Sequence, residues 1–314
     1  MKKAILPAMI AALLANSAQA ATVYDADGTT ADVYGRMEFN IGDDGTDTTG
    51  VGSARMGFKA TSAINADVNA IAKGEWQIAA ENSDDSKFKA RELYAGFDSA
   101  EMGTLIFGQT YTAFYQTTGV TDYFNSWGFE PLYTNIDPYR QEGQVVYSGE
   151  FSGVAVAASY QFQNESLDNG TALSLGYDIA DVTVSAGYLL EQFSDAEDKH
   201  NYALSAAYTL NDLYLAAVFA ESKQDGTGGA ADTDLRAYDL FASYYLDIVK
   251  VYGGYGLQEN TATNQDTVEL VTLGAGYSFN DQLKTWIEYE ADLMDATVDD
   301  KHDDRVEIAL QYNF

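Results

Sequence analysis

From Asp32 onward the chain alternates between apolar and polar residues with a period of two. Val33, Gly35, Met37, Phe39 and Ile41 share one phase, and Tyr34, Arg36, Glu38 and Asn40 share the other. That is the period of a β-strand with one apolar and one wet face. The pattern returns at Ala54, Met56 and Phe58 against Arg55 and Lys59, and at Ala70, Ala72, Trp76 and Ile78 against Lys73, Glu75 and Gln77. It recurs to the end of the chain, where Val306, Ile308, Leu310, Tyr312 and Phe314 form the last apolar stripe. Sixteen segments of about ten residues can be placed this way, the first at 31–41 and the last at 304–314.

Alternation alone suits either a soluble sandwich, which hides its apolar faces against each other, or a barrel that turns them to lipid. The connections separate the two. Tight turns of Asn/Asp type at Ala180-Asp181, Asn211-Asp212 and Asn280-Asp281 alternate with longer acidic loops, such as Asn164 to Gly170, Lys223 to Asp234 and Leu293 to Asp303. Short turns on one rim and long loops on the other describe an outer-membrane barrel. Aromatic residues near strand ends, among them Tyr160, Phe162, Tyr208, Tyr277, Phe279 and Phe314, fit its interfacial girdles.

One stretch breaks the rhythm. From Tyr111 to Arg140 there is no period, the residues are dense in aromatics, and Pro131 and Pro138 remove backbone donors. A loop of this length is functional or disordered, and its aromatic content argues for an ordered segment packed against something. The expectation is an all-β fold: a 16-stranded antiparallel transmembrane β-barrel with this long third loop folded into the bore.

Residues 1–20 read as a secretory signal peptide: Lys2 and Lys3, an apolar run from Ala4 to Ala15, and Ala18-Gln19-Ala20 before the cleavage point. The mature barrel would span 21–314. Loss of Lys2 and Lys3 takes the formal charge from −31 to −33, which argues against a nucleic-acid partner. Export implies an oxidising compartment, yet there is no cysteine, so stability must come from backbone pairing. No stretch after Ala20 reaches the roughly 18 apolar residues of a membrane helix.

Catalytic equipment is sparse. His200 and His302 both lie beside acidic loops, no Ser or His shows a nucleophile–base arrangement, and Gly253-Gly254-Tyr255-Gly256 sits inside an alternating strand rather than a phosphate-binding turn. The sequence therefore predicts no enzyme and no cofactor. Acidic pairs such as Asp299-Asp300 and Asp303-Asp304 suit solvated loops, with weak Mg²⁺ or Ca²⁺ binding as the alternative.

The charges say more. With apolar residues facing lipid, Arg36, Arg55, Lys59 and Lys73 fall on the inner wall, with Arg91 and Arg140 in the same phase, opposite the loop acids Asp122, Glu130 and Asp137. Opposed charges across a narrow gap would set a transverse field and a size limit; the same arginines could equally serve to hold the loop down. Glu92 falls in the apolar phase, which predicts either cover by a neighbouring subunit or a position near the rim.

Several motifs resemble the trimeric general porins of Gram-negative outer membranes, the OmpC/OmpF-like family of general diffusion porins. They are Ala21-Thr22-Val23-Tyr24, Val33-Tyr34-Gly35-Arg36, Ala54-Arg55-Met56-Gly57-Phe58-Lys59, Gly74-Glu75-Trp76, Tyr94-Ala95-Gly96-Phe97 and the terminal Tyr312-Asn313-Phe314. The resemblance implies a homotrimer in outer-membrane lipid and lipopolysaccharide, and passive diffusion of small hydrophilic solutes and ions. It matches Arg36, Arg55, Arg91 and Arg140 to a basic wall and Asp122 to an acid of the constriction loop. The loop tip departs from the family pattern, with Glu130 a loose substitute for the family's glutamate and Trp127 or Phe129 placed to narrow the opening. The segment 82–87 would be the arm that reaches into the adjacent monomer.

Net charge and the inward-phase acids Glu75, Glu191, Asp239, Glu288, Glu290 and Asp292 predict cation preference. A substrate-specific channel, with Phe241, Tyr245 and Trp286 as an aromatic slide, and a plugged structural or adhesive barrel are the alternatives.

Overall fold

The computed structural model describes residues 20–79, 88–165, 167–194, 196–226, 232–294 and 303–314. Among them the chain forms β1 (Ala21–Ala26), β2 (Thr29–Asp43), β3 (Thr48–Ala63), β4 (Asn69–Ala79), β5 (Phe88–Ser99) and β6 (Gly103–Tyr111). After the long third loop come β7 (Arg140–Phe151), β8 (Val154–Gln161), β9 (Asn169–Ile179), β10 (Val182–Gln192), β11 (Lys199–Leu210) and β12 (Leu213–Gln224). The rest are β13 (Thr233–Leu246), β14 (Val249–Asn260), β15 (Gln265–Ser278), β16 (Leu283–Asp292) and β17 (Arg305–Asn313).

From β2 to β17 each strand pairs antiparallel with the next, and β17 returns to β2, so sixteen strands close a barrel without free edges. The apolar phase faces out: Met37, Phe39 and Ile41 are 63%, 46% and 51% exposed, as are Leu175, Leu204, Leu240 and Ile308 to similar degrees. Such a belt is stable only against lipid, where closure also satisfies every ladder hydrogen bond.

Two features of the wall were not in the alternation. The turn at Asp27-Gly28, both with positive φ (54° and 73°), folds β1 back onto β2, where Ala21 pairs with Val33. Phe314 exchanges two backbone hydrogen bonds with Gly35 (2.8 and 3.0 Å), so β1 and β17 lie end to end along the same edge of β2. The second feature is a bulge in β5. Glu75 pairs with Glu92 but Trp76 pairs with Ala90, leaving Arg91 as the extra residue. The bulge resets the phase, so Glu92 points inward, is buried, and accepts from Lys73 Nζ at 2.7 Å. The expectation of an outward-phase Glu92, covered by a neighbouring subunit or placed near the rim, is therefore corrected.

The third loop (L3, residues 112–139) runs inside the barrel. It contains two single helical turns, Tyr115–Thr118 and Glu130–Tyr133, the second with Pro131 in its first turn, where its missing donor costs nothing. Phe114, Val120, Leu132 and Ile136 are fully buried against inward residues of β8–β13 that are mostly small: Ala157, Ala172, Ala203, Ala207, Ala220 and Ala237. One side of the bore is thus an apolar seat, and burial of the loop's side chains there favours docking. Gly256 belongs to the same fit, because a Cβ on it would stand 2.5 Å from Cγ of Pro131.

Candidate pore constriction

L3 has only three routes to hold its backbone in place: its apolar core, its own turns, and whatever the wall offers. The wall offers buried carboxylates. Glu288 on β16 is fully buried and accepts three successive backbone amides of the loop tip, Asn125 (2.7 Å), Ser126 (3.0 Å) and Trp127 (3.0 Å), together with the Tyr252 hydroxyl (2.6 Å). Successive amides converging on one anion form a nest, and here a side-chain carboxylate fills it. Asp239 accepts from the Thr121 hydroxyl (2.5 Å), and Glu307 accepts from that of Ser126. Gln258 donates to the carbonyls of Pro131 (2.6 Å) and Thr134 (2.7 Å).

Docked this way, L3 leaves a cavity of about 560 Å³ between itself and the opposite wall, lined by Arg36, Arg55, Arg91 and Arg140 and by loop residues including Asp122, Tyr123 and Trp127. A second space of about 210 Å³ shares Arg36, Arg55, Arg91, Tyr111, Lys284 and Gln311 with it and continues past Lys59 and Lys73 toward the short-turn rim. Asp122 Oδ2 accepts from Tyr115 (2.7 Å) and Tyr139 (2.8 Å), whose hydroxyls are pushed up in pKa chiefly by burial and so stay protonated as donors. Arg140 is held by rings: its guanidinium lies 4.2 Å from the Tyr139 centroid and 4.9 Å from that of Tyr111, and it donates to the Tyr111 hydroxyl at 2.5 Å. Tyr139 thus touches the loop acid with its hydroxyl and the wall cation with its face.

Of the residues singled out in the sequence, the structure brings Arg36, Arg55, Arg91, Arg140 and Asp122 to one cavity. Glu130 and Asp137 are not among its lining. Glu130 pairs with Arg305 (2.5 Å), which also binds Glu290 (2.5 Å) and lies 4.9 Å from the Trp127 ring. Asp137 is 1% exposed, accepting from the Thr118 hydroxyl and the Tyr139 amide (2.7 Å). Both acids hold the loop instead of facing the basic wall.

The acids expected to set cation preference are engaged as well. Glu75 takes Arg91 (2.8 Å) and Tyr34 (3.0 Å), Glu191 takes Lys199 (3.3 Å), and Asp292 accepts the Met294 amide (2.8 Å). Phe241 packs on Phe124 (centroids 4.9 Å apart) and Trp286 donates to Ser126 (2.9 Å), so neither is a free rung of an aromatic slide; Tyr245 is half-exposed at the strand end. His200 bonds Tyr188 (2.8 Å). His302, Asp299, Asp300 and the arm at 82–87 lie outside the described residues. Lys284 and Arg305 escaped the sequence reading as site residues, and Glu288 was expected as a pore acid and not as the anchor of the loop tip. Their inward phase was visible, but not which of them the loop would reach.

A sequence profile described as Gram-negative porin matches residues 8–297. Outer membrane porin F of Salmonella typhi and outer membrane porin N of Escherichia coli K12 are each 27% identical, with 100% of both chains covered. Among solved structures, Salmonella typhi OmpF in complex with daunomycin superposes with a TM-score of 0.81 at 22% identity, covering 94% of this chain and 100% of that one. The trimer form of Vibrio cholerae OmpT superposes with a TM-score of 0.76 at 20% identity, covering 92% and 100%. The alternating strands, the closed sixteen-stranded ring and these likenesses together establish that the chain belongs to the Gram-negative porins and is an outer-membrane β-barrel.

Proposed function

We propose that the protein forms a water-filled pore for passive diffusion of small hydrophilic solutes and ions, narrowed by L3. The observation that carries this reading is the cavity between the loop and the arginine wall, with a second space continuing it toward the short-turn rim. Proteins named as porins align with the whole chain, and catalysis and cofactors have no part in this reading. A homotrimer seated in lipid and lipopolysaccharide fits the exposed apolar belt and the trimeric OmpT neighbour. Residues 1–20 would be its export signal.

Cation preference has its support at the outer mouth. Asp44, Asp47, Glu197, Asp232, Asp303 and Asp304 are exposed on the long-loop rim, where they raise the local cation concentration and could hold Mg²⁺ or Ca²⁺ weakly. Single-channel recording in planar bilayers tests the reading. Conductance in three equal steps is expected, and Asp122→Asn should shift permeability toward anions by removing an acid from the cavity lining. Absence of ohmic conductance would mean a plugged barrel.

A further inference from the structure

Beneath the loop tip a chain of hydrogen bonds ends on a nucleophile. Lys284 on β16 donates from Nζ to Asn125 Oδ1 at 3.1 Å, and the other end of the same amide, Nδ2, donates to the Tyr252 hydroxyl at 2.7 Å. That hydroxyl donates in turn to Glu288 at 2.6 Å, and both Tyr252 and Glu288 are buried. The partners fix which way the amide points. An ammonium group has no acceptor and the Tyr252 proton is committed to Glu288, so turning the amide over would set donor against donor at one end and acceptor against acceptor at the other. Both sides of the contact are held in place. Glu288 pins the backbone amides of Asn125, Ser126 and Trp127, and the Ser126 hydroxyl accepts from Trp286 at 2.9 Å. Lys284 rises from a strand of the closed wall, with Nζ 4.8 Å from the centre of the Trp286 ring. Since a carbonyl bond is about 1.23 Å long, Nζ stands no more than about 4.3 Å from Asn125 Cγ.

We propose that Lys284 and Asn125 join in an isopeptide bond that fastens the tip of L3 to the barrel wall. The neutral amine attacks Cγ of Asn125, a Cγ–Nζ bond replaces the Cγ–Nδ2 bond, and Nδ2 leaves as ammonia. The proton that the amine gives up balances the one that the leaving nitrogen takes. Tyr252, in contact with Nδ2, hands over that proton and is resupplied through water, so no oxidant, reductant or cofactor enters. Amides are poor electrophiles in free solution. Effective molarities of about 10⁵–10⁸ M for well-oriented groups make up the difference, and docking of L3 supplies the orientation. The consequence is mechanical. Hydrogen bonds alone let a loop tip open locally, whereas a covalent link to β16 fixes the gap that Asn125 and Lys284 both line. The bond involves only the chain's own side chains and forms whether or not the pore conducts.

The test is tryptic peptide mapping by mass spectrometry of the full-length folded protein, as isolated and after incubation at about pH 9, where more of the amine is neutral. Trypsin cuts after lysine and arginine, so the loop tip lies in fragment 92–140, and cleavage at Lys284 separates fragments 251–284 and 285–301. The bond blocks that cleavage. A branched species joining 92–140 to 251–301 is expected, lighter by one ammonia, about 17 Da, than the same segments unjoined. Lys284→Arg and Asn125→Ala should each abolish it. Separate fragments of unmodified mass, both before and after incubation, overturn the bond. Loss of ammonia confined to fragment 92–140 overturns it equally, because that marks an asparagine cyclised onto its own backbone. The native chain decides the matter even if neither variant folds.

Discussion

Replacing Glu288 with alanine is expected to release the tip of L3 while leaving the barrel closed. The wild-type carboxylate receives three loop amides and one tyrosine hydroxyl in a fully buried position. Hydrogen bonds to a charged group contribute about 1.5–3 kcal/mol each, and as a unit they are not additive, so a loss on the order of 3–5 kcal/mol for tip docking follows. Amide exchange at Asn125, Ser126 and Trp127 should accelerate by roughly two to four orders of magnitude. Exchange in the β2–β3 ladder should not change. Single-channel current should become noisier, because the loop tip also lines the cavity. Glu288→Gln should fall between, since its carbonyl oxygen still accepts but its amide group faces a donor. Unchanged tip exchange in Glu288→Ala would show that Ser126 with Glu307 and Trp286 suffices to hold it.

The seating of L3 is expected to weaken as pH rises from about 4 to about 6. The Asp137 carboxyl, ordinarily near 3.8, is pushed up to about 6, first by burial, with Asp122 and Glu191 adding to it, against the opposing hydrogen bonds from Thr118 and the Tyr139 amide. A raised carboxyl means the docked loop binds its proton more tightly than the undocked one. Docking is therefore strongest below about pH 4 and level above about pH 6, with roughly 3 kcal/mol lost between. Amide exchange at Thr118 and Tyr139, corrected for intrinsic rates, should report that loss. Asp137→Asn should flatten the profile and protect these amides at neutral pH, since its oxygen can keep the Tyr139 bond and its amide group can donate to Thr118. A native profile already flat between pH 4 and 7 would sink this account.

Where the sequence reading and the structure part company, local phase is the reason. Arg36 and Arg55 could be placed inside by counting in twos from Met37 and Met56, because nothing interrupts those strands. Counting failed at Glu92, since one bulged residue in β5 reverses every assignment after it. It was silent on Glu130 and Asp137, which lie in a loop with no period at all. The Ala-rich inward phase of β8–β13 was present in the chain, yet its meaning as an apolar seat emerges only when Phe114, Leu132 and Ile136 are seen to fill it. Gly254 and Gly256 likewise read as an odd glycine cluster until Phe124 and Pro131 are placed against them.

By itself the sequence determined the barrel, its strand number, its lipid face and the basic residues of its wall. Those depend on a two-residue period and on turn chemistry, both of which act between near neighbours. The tertiary structure decided which carboxylates remain available to the pore. Glu288, Asp239, Glu290 and Asp137 are all acids by sequence, but a loop more than a hundred residues away along the chain engages Glu288 and Asp239, the loop's own backbone engages Asp137, and Arg305 on the neighbouring strand engages Glu290. Desolvated charge must be paired where it is buried, and those pairings leave the central cavity of a strongly acidic protein with a charged lining that is mostly basic.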